Sequence, residues 1–190
     1  MLQREASLVI EPVEIVRALY FFLPAYLANI TPVLVRGRFE ALAKPIDAGR
    51  SWRGQRILGD HKTWRGLLCG AVASAGAFAL QRMLCDAGVG HGLASVDCGT
   101  HVILPGVLMG LGTGIGDAVK SFFKRRVGIA PGATWIGFDQ VDFLFGAYAL
   151  VAPVCAPPLV AVAFCVPVVF LGSIATTAIG YALGLKESWI

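Results

Sequence analysis

FLFGAYALVAPVCAPPLVAVAFCVPVVFLGSIATTAIGYALGL, residues 143–185, runs for 43 residues without a single Asp, Glu, Lys or Arg. A hydrocarbon core about 30 Å thick is crossed by about 20 apolar residues in a helix. The stretch is therefore long enough to cross twice, and Ala156-Pro157-Pro158 supplies the helix breaker where the chain would turn back.

Outward from this pair, apolar runs of spanning length recur near 13–35, 66–86 and 101–122. The whole chain of 190 residues is 56% hydrophobic and only 15% charged, with a mean hydropathy of +0.71, too apolar for a soluble domain of this size. The sequence predicts an all-α integral membrane protein, a single membrane domain of five transmembrane helices at about 13–35, 66–86, 101–122, 140–156 and 159–185. The first run is preceded by Glu5, Glu11 and Glu14 rather than by a basic segment, and no small-residue cleavage site follows it, so it reads as a span and not as a signal peptide.

The positive charges set the orientation. Arg36, Arg38, Lys44, Arg50, Arg53, Arg56, Lys62 and Arg65 lie between the first two runs, and Lys120, Lys124, Arg125 and Arg126 lie after the third, whereas segments 87–100 and 156–158 carry none. Lysine and arginine mark the cytoplasmic side. An outside N-terminus, a cytoplasmic C-terminus and two cytoplasmic loops, 36–65 and 123–139, satisfy every count, placing a multi-pass protein in the cell membrane with both loops in one compartment. The net charge of +4 comes from these loops. It reports topology and attraction for anionic lipid or nucleotide, and gives no ground for a nucleic-acid partner.

Five cysteines (Cys69, Cys85, Cys98, Cys155, Cys165) show no metal-binding spacing and read as packing residues, with Cys85 and Cys98 the pair placed for an external bridge. GVLMGLGTGIGD, residues 106–117, sets Gly106, Gly110 and Gly114 four apart, the pattern of closely packed membrane helices. A dinucleotide-binding loop is excluded there because no strand precedes it. In the first loop, Gly54 and Gly59 before Lys62-Thr63 are not a phosphate-binding loop, since Asp60 and His61 intervene and no strand leads in.

The chemistry concentrates at the membrane edge. A lone carboxylate inside a span is costly unless paired or metal-bound, and Asp117 lies inside the third run. Lys120, Ser121 and Lys124 follow at i+3, i+4 and i+7 and share its helical face. Asp139 and Asp142, three apart at the start of the fourth helix, are near the positive end of its dipole. The short connection brings both groups together, and three such carboxylates repel one another unless a cation intervenes. Oxygen-only ligands favour Mg2+ on Asp117, Asp139 and Asp142. With Lys124, Arg125 and Arg126 nearby, the site suits a polyphosphate. The plainer reading of Asp139 and Asp142 is helix capping, and of the basic run, interfacial anchoring.

The pattern Asp117, Ser121, Lys124-Arg125, Pro131-Gly132 and Asp139-Gln140-Val141-Asp142 resembles the signature of the CDP-diacylglycerol synthase superfamily. Gln140 stands where that family has Arg, and one glycine stands where it has two. Those departures, the five-span length, the loop PIDAGRSWRGQRILGDHKTWRG and Asn29 with Pro32 in AYLANITPVL resemble instead its archaeal branch, the CDP-archaeol synthases. The resemblance implies a magnesium-dependent cytidylyltransferase that joins CTP to 2,3-bis-geranylgeranylglycerol phosphate, an unsaturated diether lipid phosphate drawn from the membrane lipids, giving CDP-archaeol and pyrophosphate. It implies catalytic roles for Asp117, Lys124, Arg125, Asp139 and Asp142, and substrate contacts from Asn29, Asp47, Lys62, Thr63, Arg65, Lys120 and Ser121. His61 reads as an incidental loop residue, and His91 and His101 belong to the opposite side. The rival classes are a small transporter or channel with Asp117 as ion ligand, and a lipid kinase. A CDP-alcohol phosphotransferase is excluded because its Asp-Gly-x-x-Ala-Arg run is absent.

Overall fold

In a computed structural model, residues 11–94, 96, 98–130 and 133–182 are described; the Pro131-Gly132 pair and the end of the fifth predicted span lie outside them. Six helices follow in order: α1 Pro12–Phe21, α2 Leu23–Leu34, α3 Trp64–Asp86, α4 Leu104–Arg126, α5 Asp142–Val151 and α6 Leu159–Ala182. A small antiparallel hairpin, β1 Ser51–Trp52 and β2 Gln55–Arg56, lies in the first loop.

The first predicted span is two helices bent by 44° at Phe22. Pro24, near the start of α2, has no amide hydrogen and disfavours helix in the residue before it, which places the break there. Together α1 and α2 are long and apolar enough to cross a membrane, as is α3 by itself. Thr63 starts α3 by accepting the Gly66 N–H at 3.2 Å. Arg82 and Asp86 pair at 3.2 Å near its far end, as their i, i+4 spacing predicts.

The centre of the assembly is α4, held between α3 and α5. Its glycines make this possible. A Cβ on Gly106 would lie 2.7 Å from the Ser74 carbonyl oxygen, and one on Gly110 would lie 2.6 Å from the Ala71 Cα, so α3 and α4 touch backbone to backbone. On the other face, Gly112 and Gly116 meet Gly146 of α5 in the same way. Phe22, Met109, Leu144, Val151 and Cys165 fill the remaining core, and α6 closes against α1.

One sequence expectation needs correction. Cys98 bonds to Cys155, not to Cys85 (Cα–Cα 5.0 Å). Because α5 ends at Val151, Cys155 falls in the α5–α6 turn facing the segment that carries Cys98, while the Cys85 sulfur stays free, 3.9 Å from His91 Nδ1. The helix of the third predicted span, α4, continues through Arg126, so Lys124, Arg125 and Arg126 are helical and Lys124 shares a helix with Asp117 as its spacing predicts.

The first loop is folded around Asp47, whose carboxylate accepts the amides of Gly49, Leu58 and Gly59 at 3.0 to 3.1 Å and the Arg56 guanidinium at 2.9 Å. Arg53 and Gly54, at φ 53° and 77°, form the two-residue turn of the hairpin, with the positive φ at both positions that a type I′ turn needs.

Candidate active site

At one end of the bundle, α4 and the start of α5 bring three carboxylates around one ammonium group. Lys120 Nζ lies 3.0 Å from Asp117, 2.9 Å from Asp139 and 2.8 Å from Asp142. Asp117 and Lys120 are neighbours on one helical face, and the Gly112, Gly116 and Gly146 contact presses the Asp142 end of α5 against them. The positive charge that stands among the three carboxylates in this structure is the Lys120 ammonium.

The ring of charge continues outward. Lys62 reaches across from the first loop to the other oxygen of Asp117. Lys124 pairs with Asp139 at 3.0 Å and also donates to the Ala133 carbonyl. Burial opposes ionisation of Asp139, yet the Trp135 amide at 2.7 Å, together with Lys120 and Lys124, holds its carboxyl below the usual range. Asp47 is also held well below the usual carboxylate range: burial again opposes the charge, and Arg56 with three backbone amides outweighs it.

Two cavities open onto this cluster. One, of about 300 Å³, has Arg56, Lys62, Lys120, Lys124 and Arg125 in its lining against Asp60 and Asp139, so cations outnumber carboxylates in its walls. The other, of about 260 Å³, runs along α2 and α3 past Asn29, Pro32, Thr63 and Thr113 to Asp117. His61 lines both. A triphosphate suits the first, because flexible ammonium and guanidinium donors surround a space open to solvent.

The other predicted residues take supporting places. Ser121 donates to the Asp117 backbone carbonyl at 2.8 Å. Arg125 donates to the Ile129 carbonyl at 2.6 Å, while its Nε is buried without a hydrogen-bond partner. Arg65 pairs with Glu40 at 2.9 Å, and neither it nor Asp47 lines either cavity. Two contributors escape sequence reading, Arg56, which bridges Asp47 and Asp60, and Trp135, which holds Asp139 through its amide; Arg126, expected beside the polyphosphate, binds the hairpin. The Arg126 guanidinium lies over the Trp52 and Phe122 rings and donates to the Arg56 carbonyl at 3.0 Å. A backbone amide leaves no mark in a sequence, and Arg126 looks like any interfacial anchor.

As the side chains lie, no three acidic, histidine or cysteine groups among the described residues are grouped to share a metal. Three carboxylate oxygens within 3.0 Å of one cationic atom nevertheless form a seat of hard donors. Hard oxygen donors of this kind are the chemistry that would hold magnesium.

A family model described as CarS-like, CDP-archaeol synthase, matches residues 12–190. Proteins named CDP-archaeol synthase are similar over most of their length. That of Halorubrum lacusprofundi is 38% identical, covering 90% of this chain and 96% of its own; that of Methanosphaerula palustris is 38% identical, covering 87% and 98%. A relative in Thermococcus onnurineus is 41% identical over 72% of this chain and 74% of its own. A solved structure, described as an intramembrane enzyme for archaeal membrane lipids biosynthesis, superposes with a TM-score of 0.65 at 34% identity, covering 84% of this chain and 91% of that one. With the carboxylate ring, the cationic cavity and a match running from Pro12 to the last residue, the chain belongs to the CDP-archaeol synthase family.

Proposed function

We propose that this chain transfers CMP from CTP to an unsaturated diether glycerol phosphate lipid, giving CDP-archaeol and pyrophosphate. The observation that carries the reading is the Lys120 ammonium ringed by Asp117, Asp139 and Asp142 beside a cationic cavity. It is the layout expected where polyphosphate and a divalent cation meet at a membrane edge.

In the reaction, an oxygen of the lipid phosphate attacks the α-phosphorus of CTP in line, a new P–O bond forms, and the bond from the α-phosphorus to the bridging oxygen breaks. Pyrophosphate leaves with that electron pair. A phosphate monoester is already largely dianionic near neutral pH, so no protein nucleophile or strong base is needed; Ser121 keeps its hydroxyl on a backbone carbonyl. Lys62, Lys124 and Arg125 bind and orient the triphosphate and balance the charge that builds on the leaving group. Asp117, Asp139 and Asp142 would hold Mg2+, which when bound supplies Lewis-acid stabilisation of the phosphoryl oxygens.

Five spans, an outside N-terminus and a cytoplasmic site form the topology that accompanies this reading. Its support is the segregation of charge: the cation-rich loop and the carboxylate ring share one end, while the Cys98–Cys155 bridge joins segments free of Lys and Arg. Disulfides persist in oxidising compartments, which agrees with that side being external.

The test is pyrophosphate release by the purified protein in detergent with magnesium and an unsaturated diether lipid phosphate, comparing CTP, ATP, GTP and UTP. Release that needs CTP, lipid and metal together is expected. A nucleoside diphosphate as product would make the protein a lipid kinase, and no turnover from folded protein would return Asp117 to the role of an ion site.

A further inference from the structure

Neither Arg126 nor Trp52 lines either of the two cavities that open onto the carboxylate ring, yet these two residues fasten the hairpin to α4. The Trp52 ring stacks on Phe122 with centroids 5.9 Å apart and planes 18° apart. Phe122 and Arg126 stand at i and i+4, so one face of α4 presents both. The Arg126 guanidinium carbon lies 4.1 Å from the Phe122 centroid and 5.0 Å from that of Trp52. An arginine that serves only as an interfacial anchor keeps its charged head in water. Arg126 does not: its Nε and Nη2 are buried with no hydrogen-bond partner, and the two aromatic faces stand in their place. Its Nη1 donates to the Arg56 carbonyl at 3.0 Å.

Arg56 links this stack to the site. Its guanidinium lines the cationic cavity and is held by Asp47 at 2.9 Å and Asp60 at 2.7 Å. Lys120, Ser121, Lys124 and Arg125 of α4 line the same cavity. The stack therefore ties the backbone that carries one part of the cavity lining to the last turns of the helix that carries another. We infer that Arg126 is a positioning residue for the nucleotide: packed over Trp52 and Phe122, it sets where Arg56 stands relative to Lys120 and Lys124. What the site uses is the planar, stacked guanidinium that reaches the carbonyl, and not the positive charge as such. The inference rests on the proposed reaction for the identity of the nucleotide, but its first readout needs no ligand.

That readout is amide exchange of the detergent-solubilised protein across residues 50–58. Exchange there should be faster in Arg126→Met and Trp52→Ala than in the unaltered protein and in Trp52→Phe, while exchange in α3 stays the same in all and shows that each is folded. Binding of a CTP analogue with a non-cleavable α,β bridge is then measured. Affinity should weaken about tenfold in Arg126→Met and Trp52→Ala, on the scale of one lost hydrogen bond to a charged group, and stay close to the unaltered value in Trp52→Phe. Arg126→Lys should not restore it, because an ammonium keeps the charge without covering both rings and reaching the carbonyl together. Adding Arg126→Met to Arg56→Gln should cost less than about twofold beyond Arg56→Gln alone, as expected of two residues that act as one unit.

Full affinity in Arg126→Lys together with Trp52→Ala, or fully additive losses with Arg56→Gln, would mean that Arg126 acts on the triphosphate through its charge and would overturn the assignment. Unaltered exchange across the hairpin in Arg126→Met would overturn it as well. If the unaltered protein binds no CTP analogue, the nucleotide reading of the cavity is refuted, and the exchange comparison alone decides whether Arg126 holds the hairpin.

Discussion

Lys62 and Asp117, 55 residues apart, form an ion pair that clamps the first loop onto α4. The two side chains are only partly exposed, 23% and 29%, so the pair seals the gap between loop and helix while staying reachable by a charged ligand. A triphosphate entering the cationic cavity competes with Asp117 for Lys62, and a cation entering competes with Lys62 for Asp117. Under the proposed reaction, substrate binding and loop position would be linked through this one contact.

Lys62→Ala should raise the KM for CTP about tenfold, the loss of one hydrogen bond to a charged group, with a smaller effect on kcat. Initial rates at varied CTP decide it. An unchanged KM would confine Lys62 to holding the loop.

Asp117→Asn keeps the shape of the side chain and removes its charge. Turnover should fall by about a thousandfold or more, on the scale of losing a preorganised charge at a phosphoryl-transfer site. Circular dichroism and the thermal midpoint should show a folded protein, because Lys120 keeps Asp139 and Asp142 as partners. Activity like that of the unaltered protein would remove Asp117 from the mechanism.

Asp47 organises the first loop as an anion. Its folded-state pKa lies well below the unfolded value of about 3.9. Its contribution is therefore complete above about pH 4 and is lost as pH falls through the depressed folded value. Amide exchange across residues 46–60 should be independent of this group between neutral pH and about pH 5 and accelerate only in stronger acid. Asp47→Asn should show fast exchange already at pH 7, with a raised KM for CTP. Equal protection in the variant and the unaltered protein at pH 7 would mean that the carboxylate does not hold the loop.

Most of this arrangement can be read from residue order. Apolar runs and charge segregation locate the helices, and the i, i+3 spacings predict that Asp117 meets Lys120 and that Asp139 and Asp142 face the same way. What sequence could not supply was three-dimensional neighbourhood. Cys155 lies beside Cys98 only because α5 is short, and a helix end within an uncharged run carries no local signal once Pro153, Pro157 and Pro158 offer several stopping points. The bend at Phe22 follows from Pro24, but proline marks a break without fixing its angle. Lys120 at the centre of the carboxylates could be placed near them by spacing, not assigned as their shared counter-ion.

The Cys98–Cys155 bridge closes a loop across 57 residues and ties the segment before α4 to the α5–α6 turn. Cys98→Ser should lower the stability of the purified protein by about 2–4 kcal/mol, seen as a lower thermal midpoint. The bridge joins the segment before α4 to the one after α5, with each helix between it and the carboxylates, so the KM for CTP should be unchanged at temperatures where the variant is folded. A midpoint unaffected by the substitution and by reductant would show that the bond does not form in the membrane-extracted protein.

Lys120→Met tests whether the ammonium and a divalent cation share one seat. Without the positive charge, Asp117, Asp139 and Asp142 repel one another, and a cation that relieves the repulsion binds more favourably than one that must first displace an ammonium. Mn2+, titrated by electron paramagnetic resonance in the absence of nucleotide, should bind the variant about tenfold or more tightly than the unaltered protein. Turnover should nevertheless fall, since the variant loses the one cation that all three carboxylates share. Mn2+ affinity that is unchanged or weaker in the variant would mean that Lys120 supports the metal seat from beside it, and the three carboxylates would then need a different arrangement around the ion.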